Sequence, residues 1–591
     1  AKGNLDTIPF PSQAVLVLSE EYIDDLPGFV NPQHFCAQMS EHMGATQQCI
    51  PLEHNKANLD SDIFNTIKYT NYHKVSPFEL KNTLIKKAQA SEKLFLNVGR
   101  GNPNFVNTTA REAFAHLLLF ASSEASRLSK ADKQGDTTDN PAIGFAPNEK
   151  GISDRLDDYM RKLKDRGGRF LKEAVVWMKS NYIIHDPDDL VHQLVIAALG
   201  SFYPDPPQVQ PFVNAVMNEY MDYILLHSNR PRGKFNVFMT EGATAGIMYT
   251  FKSLRINGLL ASGDTIAIIT PYLELPELKK YDLKELYIPG DPEQGWKIPL
   301  ENLDVLKNKK IKAVFLVNPT NPSAVSMTEA HVAKVGEIIR NHNPDLLIIA
   351  DSVYAPFVKS YHSFMSVAPK NTIEMYSFSK YFGVTGWRMG MIVIHPDNII
   401  DNKLLPNLPN KTKQNLNQRY SIVTETSQEE LTFMQRLVLD SRDVAEAHTG
   451  GLATPQQTLM SLFAIYDMTH REYKPSIKNI IVKRIELLYT ALGETPPLGT
   501  GETDYYTIID IKKLATQRHG AAFVQKLIKR DCLEFVFRLA IDYATIALPI
   551  AGFHGPCWAI RISLANAPTN TYTEVGKNIV AVIDDMFKAY D

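Results

Sequence analysis

Seven short apolar runs, spaced along residues 235 to 395, constrain the fold of this chain more than any other feature of its sequence. Longer amphipathic stretches separate the runs. This alternation is typical of a mostly parallel sheet covered by helices on both faces. We therefore predict an α/β fold for this region. The runs are FNVFMT, TIAIIT, LKELYI, KAVFLV, LLIIAD, IEMYSF and MIVIHP.

Polar residues that follow these runs are candidates for a functional site, because ligands of open α/β sheets bind outside the carboxyl ends of the strands. Ser377-Phe378-Ser379-Lys380 ends the run IEMYSF, and Arg388 lies eight residues beyond the lysine. Partial loss of solvation lowers the pKa of a lysine and frees its amine to form an imine. The two serines and the arginine suit a phosphate group.

Two other run ends carry polar groups suited to an aromatic cofactor. Asp351 ends LLIIAD, and a carboxylate there would keep a pyridine nitrogen protonated. Tyr354 lies three residues further on. Asn321-Pro322 forms a turn after KAVFLV, and its side-chain amide would donate a hydrogen bond to a phenolate oxygen.

Two more strings suggest anion binding. In MTEGATAG, the residues Gly242, Ala243 and Thr244 open a helix and direct backbone N–H groups at a phosphate. In IRISLAN, the planar guanidinium of Arg561 matches a carboxylate in two parallel hydrogen bonds. Taken alone, each candidate also fits an ordinary role, such as a solvated lysine, a helix N-cap, a turn or a surface ion pair.

The charge balance argues against polyanionic partners. The net charge is only -3, from 62 Lys+Arg against 65 Asp+Glu, so no strong field attracts nucleic acid or an anionic membrane. No uncharged apolar run approaches the roughly 18 residues that cross a bilayer. We therefore expect a small-molecule substrate, with neither nucleic acid nor membrane as partner.

The cysteines give a weak indication of compartment. Cys36, Cys49, Cys532 and Cys557 are too few and too scattered for a disulfide scaffold or a four-cysteine zinc site. We expect no metal and a reducing, cytoplasmic location, with a Cys36–Cys49 pair as the alternative. The first residue is Ala, which leaves a removed leader open.

The order of these strings along the chain resembles that of the fold-type-I aminotransferases, which bind pyridoxal 5′-phosphate (PLP), from about residue 76 to the end. The resemblance implies a large PLP-binding domain with a mostly parallel sheet and a smaller α+β domain. We predict four parts. They are an N-terminal extension (1–75), an N-terminal segment with a helical insertion that belongs to the small domain or caps the substrate (76–210), the large domain (211–440) and the C-terminal small domain (441–591).

The resemblance also implies roles for the candidates. Lys380 would hold PLP as a Schiff base, Asp351 would pair with the pyridinium, and Arg561 would bind the substrate α-carboxylate. Tyr203 resembles a tyrosine that reaches the neighbouring subunit's phosphate, which implies a homodimer with a shared site. Tyr272, one place earlier than the usual aromatic residue, is the candidate for ring stacking. The remaining cofactor contacts, to the ring oxygen or the phosphate, would come from Asn321, Tyr354, Gly242, Ala243, Thr244, Ser377, Ser379 and Arg388.

One branch matches more closely, the bacterial aspartate 4-decarboxylases, which convert L-aspartate to L-alanine and carbon dioxide. SPFELKNTLI, LNVGRGNPNF, TPYLELPEL, YSFSKYFGVTGWR, HTGGLATPQQ and DYYTIIDI carry this resemblance. It implies that Lys81, Arg100 and Gly101 lie near the substrate carboxylates. Related decarboxylases also assemble their dimers further.

Two other functions stay open at this point. A transaminase for aspartate or another dicarboxylic amino acid would share its early steps with the decarboxylase. The decarboxylase is itself expected to transaminate slowly as a side activity, so product analysis separates the two enzymes. A regulatory module with an aminotransferase-like domain would need a DNA-binding partner domain. The acidic, arginine-free residues 1–75 suit that task poorly.

Overall fold

A computed structural model describes residues 72–89, 93–131, 139–148, 150–181, 186–226, 234–272, 275–442, 450–499 and 502–590. Almost all of the predicted N-terminal extension therefore lies outside the described residues, as do Cys36 and Cys49. Residues Tyr69–Asp591 belong to one compact unit. The division of that unit at residues 210 and 440 stays a prediction.

Twelve strands are present in the described part of the chain. In chain order they are β1 (Leu96–Asn97), β2 (Asn236–Thr240), β3 (Thr265–Thr270), β4 (Lys284–Pro289), β5 (Ile311–Val317), β6 (Leu347–Asp351), β7 (Thr372–Ser377), β8 (Gly390–Ile394), β9 (Tyr506–Asp510), β10 (Thr545–Ile546), β11 (Leu548–Pro549) and β12 (Ala559–Ser563).

The α-helices of the described residues lie before, between and after these strands. They are α1 (Pro77–Gln89), α2 (Thr108–Ala131), α3 (Ile152–Lys162), α4 (Arg166–Asn181), α5 (Pro187–Leu199), α6 (Pro211–Met221), α7 (Ala243–Ile256), α8 (Pro276–Lys280), α9 (Glu329–Asn341), α10 (Asn410–Tyr420), α11 (Phe433–Ser441), α12 (Thr454–Thr469), α13 (Tyr473–Leu492), α14 (Ile511–Leu527), α15 (Leu533–Tyr543) and α16 (Tyr572–Tyr590).

The central sheet has seven strands in the order β2-β8-β7-β6-β5-β3-β4. Strands β3 to β7 pair in parallel, while β8 runs antiparallel to both β7 and β2. Each of the seven predicted apolar runs supplies one strand, which confirms the mostly parallel sheet. Strands β6, β7 and β8 are buried along their whole length, as expected for a sheet with helices on both faces.

Two smaller sheets join the ends of the described chain. Strands β11, β12 and β9 form an antiparallel sheet in that order, and β1 pairs in parallel with β10. The backbone N–H of Ser563 in β12 also donates to Val98 O at 2.7 Å. These bonds hold residues 98 to 102, just after β1, against the C-terminal part of the chain.

The predicted helical insertion forms a layer of its own. Helix α2 packs against α4, α5 and α12, and α3 packs against α5. Helix α5 begins at Asp186, whose side chain caps the N–H of Asp188, and ends at Gly200, which has a positive φ of 63°. No helix in the described segments is long and apolar enough to cross a membrane.

The cysteine pattern needs a correction. Cys532, at the start of α15, forms a disulfide with Cys557, just before β12, and their Cα atoms are 5.7 Å apart. The sequence predicted no such pair, because the cysteines are 25 positions apart and scattered. The intervening helix and short strands double back, so that the two thiols meet.

Candidate active site

A cavity of about 570 Å³ lies at the carboxyl ends of the central strands. Its walls come from both halves of the described chain. The predicted site residues that line it are Lys81, Arg100, Gly101, Ala243, Thr244, Tyr272, Asn321, Asp351, Tyr354, Ser377, Ser379, Lys380, Arg388 and Arg561. The fold therefore brings together residues that are far apart in sequence.

Lys380 lies just beyond β7, on the wall of this cavity. The side chain is only partly buried, and its Nζ donates a hydrogen bond to Gly101 O at 2.9 Å. The Lys380 side chain therefore bridges the central sheet and the segment after β1. The amine is placed to react with a ligand that enters the cavity.

Asp351 ends β6 and is 7% exposed. Its Oδ1 accepts a hydrogen bond from Val353 N at 3.0 Å. Burial raises the pKa of this carboxyl to about 6, although the Val353 bond and the charge of Lys380 oppose the rise. A cationic ring nitrogen placed beside the carboxyl would favour its ionised form.

Gly242 and Arg388 form a phosphate-sized cradle beside the lysine. Gly242 precedes α7 with a φ of 86°, so the first N–H groups of that helix face the cavity wall formed by Ala243 and Thr244. A Cβ at Gly242 would lie 2.7 Å from Nη2 of Arg388. The Arg388 guanidinium donates to Thr385 O at 3.0 Å and to Glu241 O at 3.4 Å.

Two buried serines complete this cradle. Ser377 Oγ lies 2.9 Å from Ser379 Oγ and 3.2 Å from Met389 O, and its single hydrogen serves one of these two acceptors at a time. Both side chains line the cavity below Lys380. Helix N–H groups, hydroxyls and a guanidinium together match the oxygens of a phosphate dianion.

Arg561 in β12 is almost fully buried, with 1% exposure. Its Nη1 donates to Asn321 Oδ1 at 3.1 Å and its Nη2 to Gly99 O at 2.8 Å, whereas its Nε has no hydrogen-bond partner. The Tyr506 ring lies 4.3 Å from the guanidinium carbon, measured to the ring centroid. A buried cation with a free donor is suited to a carboxylate ligand.

Lys81 adds a second basic group from α1. Burial lowers the pKa of Lys81, the charges of Arg100 and Arg561 lower it further, and only Glu79 raises it. Lys81 is partly buried and Arg100 is exposed at the cavity mouth. Three cations that repel one another around one cavity favour a ligand with more than one negative charge.

The predicted residues Tyr272 and Tyr354 both lie on the cavity wall. The Tyr272 ring packs against Phe315 with a centroid distance of 5.2 Å, and its backbone N–H donates to Phe553 O at 2.9 Å. Tyr354 Oη donates to Tyr506 Oη at 3.0 Å. The pKa of both predicted tyrosines is raised, chiefly by burial. Their roles toward a cofactor stay predictions.

Two predicted residues stand apart from the lining. Gly242 lies behind its neighbours Ala243 and Thr244, and contributes the backbone turn described above. Tyr203 is 70% exposed and does not line the cavity of its own chain. An exposed tyrosine agrees with the expectation that it serves a neighbouring subunit, which remains a prediction.

Sequence reasoning missed the aromatic residues Phe78, Tyr506 and Phe553 in the cavity lining. All three rings pack around Arg561, with centroid distances of 5.9, 4.3 and 5.4 Å. DYYTIIDI was used only as one of the strings that carry the resemblance, and nothing in it separates Tyr506 from a core tyrosine. The antiparallel pairing of β9 with β12 places it beside the arginine.

A family model and several known proteins match this chain in sequence. The family model for aminotransferase class I and II matches residues 202–579. The "bifunctional aspartate aminotransferase and L-aspartate beta-decarboxylase" of a Pseudomonas species is 38% identical over 532 residues, which cover 88% of this chain and 98% of the relative. The aspartate aminotransferase of Bacillus subtilis is 30% identical over 165 residues, 27% of this chain and 41% of the relative.

Solved structures share the fold. The aspartate aminotransferase of Thermus thermophilus superposes with a TM-score of 0.54 and 15% identity, covering 89% of this chain and 100% of that one. An aromatic aminotransferase from Pyrococcus horikoshii gives a TM-score of 0.51 at 14% identity, with 85% and 99% coverage. These similarities confirm the predicted fold class.

Proposed function

Because the chain belongs to the aminotransferase class I and II family, whose members use PLP, we propose that it converts L-aspartate to L-alanine and carbon dioxide. The nearly full-length match to the Pseudomonas relative carries this proposal, since that relative is named for both transamination and β-decarboxylation of aspartate. The basic cavity supports it, because aspartate brings two carboxylates.

The cavity residues fit PLP. The cradle of Gly242, Arg388 and the α7 N-terminus would hold the phosphate, and a Cβ at Gly242 would meet the Arg388 guanidinium. Asp351 would face the ring nitrogen, and Lys380 would bind the aldehyde carbon. When bound, PLP withdraws electrons from the substrate bonds that break.

The side chains then orient the substrate. Arg561 would bind the α-carboxylate, using the Nε donor that has no partner in the protein. Lys81 and Arg100 would hold the β-carboxylate at the mouth of the cavity. Once displaced by the substrate amine, Lys380 is the base that removes the α-proton and later returns one.

The outcome of the reaction depends on water. Transamination would require water to reach the reacting α-carbon and release oxaloacetate, whereas decarboxylation would require the β-carboxyl group to leave first. The aromatic rings of Phe78, Tyr506 and Phe553 pack around Arg561 and would leave less room for water beside it. We propose that decarboxylation dominates and that transamination is a slow side activity.

The experiment that tests this function supplies the PLP-loaded protein with L-aspartate and no keto acid. Sustained, equimolar release of carbon dioxide and alanine over many turnovers is the expected result. If turnover instead stops after one equivalent and resumes only with 2-oxoglutarate, the protein is a transaminase.

We also propose a homodimer whose two cavities share residues across the interface. Tyr203 is the candidate for the shared residue, because its ring is exposed and lies outside its own cavity. The phenol would donate to the phosphate held in the partner's cradle.

A further inference from the structure

Tyr506 lines the cavity, and its hydroxyl lies beside Gly101. A point one carbon above Gly101 lies 2.6 Å from Tyr506 Oη and 3.0 Å from Lys380 Nζ. Both side chains line the cavity, and Tyr506 is 3% exposed. The phenol and the amine therefore converge on the same small space from different elements, β9 and the segment after β7.

The charges around this phenol stabilise its anion. Burial alone would raise the pKa of Tyr506, but the charges of Lys380 and Arg561 and the hydrogen bond from Tyr354 outweigh burial and lower the pKa. The fourth neighbour, Tyr505, donates its hydroxyl to Gly101 O at 2.8 Å, the same oxygen that accepts a hydrogen bond from Lys380 Nζ. Burial raises the pKa of both neighbouring tyrosines, so Tyr506 is the acidic member of the three.

The hydrogen-bond direction leaves the Tyr506 proton available. Tyr354 Oη donates to Tyr506 Oη at 3.0 Å, so that bond uses a lone pair of Tyr506 and not its hydrogen. The Tyr354 bond therefore leaves the hydrogen of Tyr506 free to be donated to a ligand in the cavity that Tyr506 lines. The Tyr506 hydroxyl accepts a hydrogen bond from Tyr354 and lies near the cations Lys380 and Arg561. These contacts stabilise the anion that remains when Tyr506 gives up its proton.

We propose that Tyr506 is a catalytic acid that protonates the β-carbon of the substrate after carbon dioxide leaves, an inference that rests on the proposed decarboxylase function. The bond between the β-carbon and its carboxyl breaks, and its electron pair stays with the organic fragment. The Tyr506 O–H bond then breaks as a new C–H bond forms at the β-carbon. The resulting tyrosinate is stabilised by Arg561 and Lys380, and regains a proton from solvent.

This assignment divides the proton transfers between two groups. Lys380 serves the α-carbon, to which the reacting amine is attached, and Tyr506 serves the adjacent β-carbon. Transamination alone requires protonation only at the α-carbon and at the cofactor. Decarboxylation also requires protonation at the β-carbon, and this explains why a phenol of this acidity lies beside the lysine. Lys380 acting at both carbons is the rival outcome of the test.

The test compares Tyr506→Phe with wild type in two reactions of the PLP-loaded enzyme. Alanine formation from aspartate should fall by about 10²- to 10⁴-fold, the range of a general acid. Exchange of the α-hydrogen of L-alanine in deuterium oxide, which needs Lys380 but no β-protonation, should stay within a few-fold of wild type. Tyr505→Phe is the matched control, since it removes a neighbouring hydroxyl that does not line the cavity, and both reactions should persist.

A second readout uses the cofactor-free protein. Ultraviolet difference titration should show one tyrosinate that forms at lower pH than the others in wild type and is missing in Tyr506→Phe. Tyr354→Phe, which removes the hydrogen bond to Tyr506 Oη, should shift that tyrosinate to higher pH and move the basic limb of the alanine-formation profile with it.

The outcomes are separable. Wild type that makes no alanine from aspartate contradicts the proposed function and this inference together. Wild type that makes alanine while Tyr506→Phe loses neither alanine formation nor the low-pH tyrosinate contradicts this inference alone and assigns both carbons to Lys380. Equal losses of alanine formation and α-hydrogen exchange in Tyr506→Phe would also overturn it, because they would indicate a structural role.

Discussion

Asp351 illustrates how a single residue trades stability for function. Its pKa is raised to about 6 by burial, so between about pH 4 and 6 the folded, cofactor-free protein keeps a proton that the unfolded chain has lost. Stability therefore falls as the pH rises through this window. Each unit of pKa shift corresponds to about 1.4 kcal/mol.

We accordingly compare the effect of Asp351→Asn on the free energy of unfolding of the cofactor-free protein at two pH values. We expect this effect to be more stabilising above pH 6 than at pH 4, by at most about 3 kcal/mol. Urea unfolding of both proteins across this range measures the difference in the free energy of unfolding. The PLP-loaded variant should lose most activity, because an amide cannot balance the ring cation. A stability difference that stays constant with pH would refute the assignment.

Arg561 is the residue on which substrate affinity should depend. Arg561→Ala should raise the KM for aspartate by about 10- to 100-fold, the equivalent of a lost charge-assisted hydrogen bond. Arg561→Lys keeps the charge without the planar fork and should give an intermediate KM. Steady-state kinetics measure both. Arg518 pairs with Asp584 away from the cavity, so Arg518→Ala is the control and should keep the wild-type KM. A wild-type KM in Arg561→Ala would contradict the prediction.

At the scale of elements, the turn between β2 and α7 decides whether phosphate binds. Gly242 has a φ of 86°, and a Cβ there would lie 2.7 Å from Nη2 of Arg388. We expect Gly242→Ala to raise the dissociation constant of PLP by about 10- to 100-fold, because the guanidinium must move from the phosphate. Titration of the cofactor-free protein with PLP, followed by fluorescence quenching, measures this constant.

Gly263 provides the matched control for that experiment. It has a similar φ of 84°, but a Cβ there would meet nothing within 4 Å. Gly263→Ala should therefore place a side chain at a positive φ, as Gly242→Ala does, without a change in PLP affinity. Equal affinities of the two variants would mean that strain, and not the Arg388 contact, controls binding.

The strands of the central sheet were predictable because each coincides with a short, largely apolar run. Asp351 ends β6 and Lys380 lies just beyond β7, and neighbouring parallel strands end at one edge, so their convergence follows from sequence. The pairing of β9 with β12 did not follow, because the partner of an antiparallel strand depends on long connections. Tyr506 was missed for this reason, as was the Cys532–Cys557 disulfide.

At the scale of the whole molecule, a mixed dimer tests whether the cavities are shared. A dimer of one Tyr203→Phe chain and one Lys380→Ala chain holds a single reactive lysine. If Tyr203 serves the partner, the cavity with that lysine has an intact tyrosine and should bind PLP with wild-type affinity. The Tyr203→Phe homodimer should bind PLP more weakly.

Differently tagged chains, co-expressed and purified over both tags, supply the mixed dimer. Absorbance during PLP titration reports its affinity. A mixed dimer that binds PLP as weakly as the Tyr203→Phe homodimer would place the tyrosine in its own subunit's cavity. A monomer by light scattering would contradict the shared site directly.

The hydrogen bonds that close the cavity join the two ends of the described chain. Lys380 and Gly101 are 279 positions apart, and Arg561 and Gly99 are 462 apart. On the ribosome, the lysine and the phosphate cradle emerge while β12 is still unsynthesised. The nascent protein therefore lacks the Arg561 side of the cavity, and we expect cofactor loading to follow release, when Lys380 must compete with other amines for free PLP.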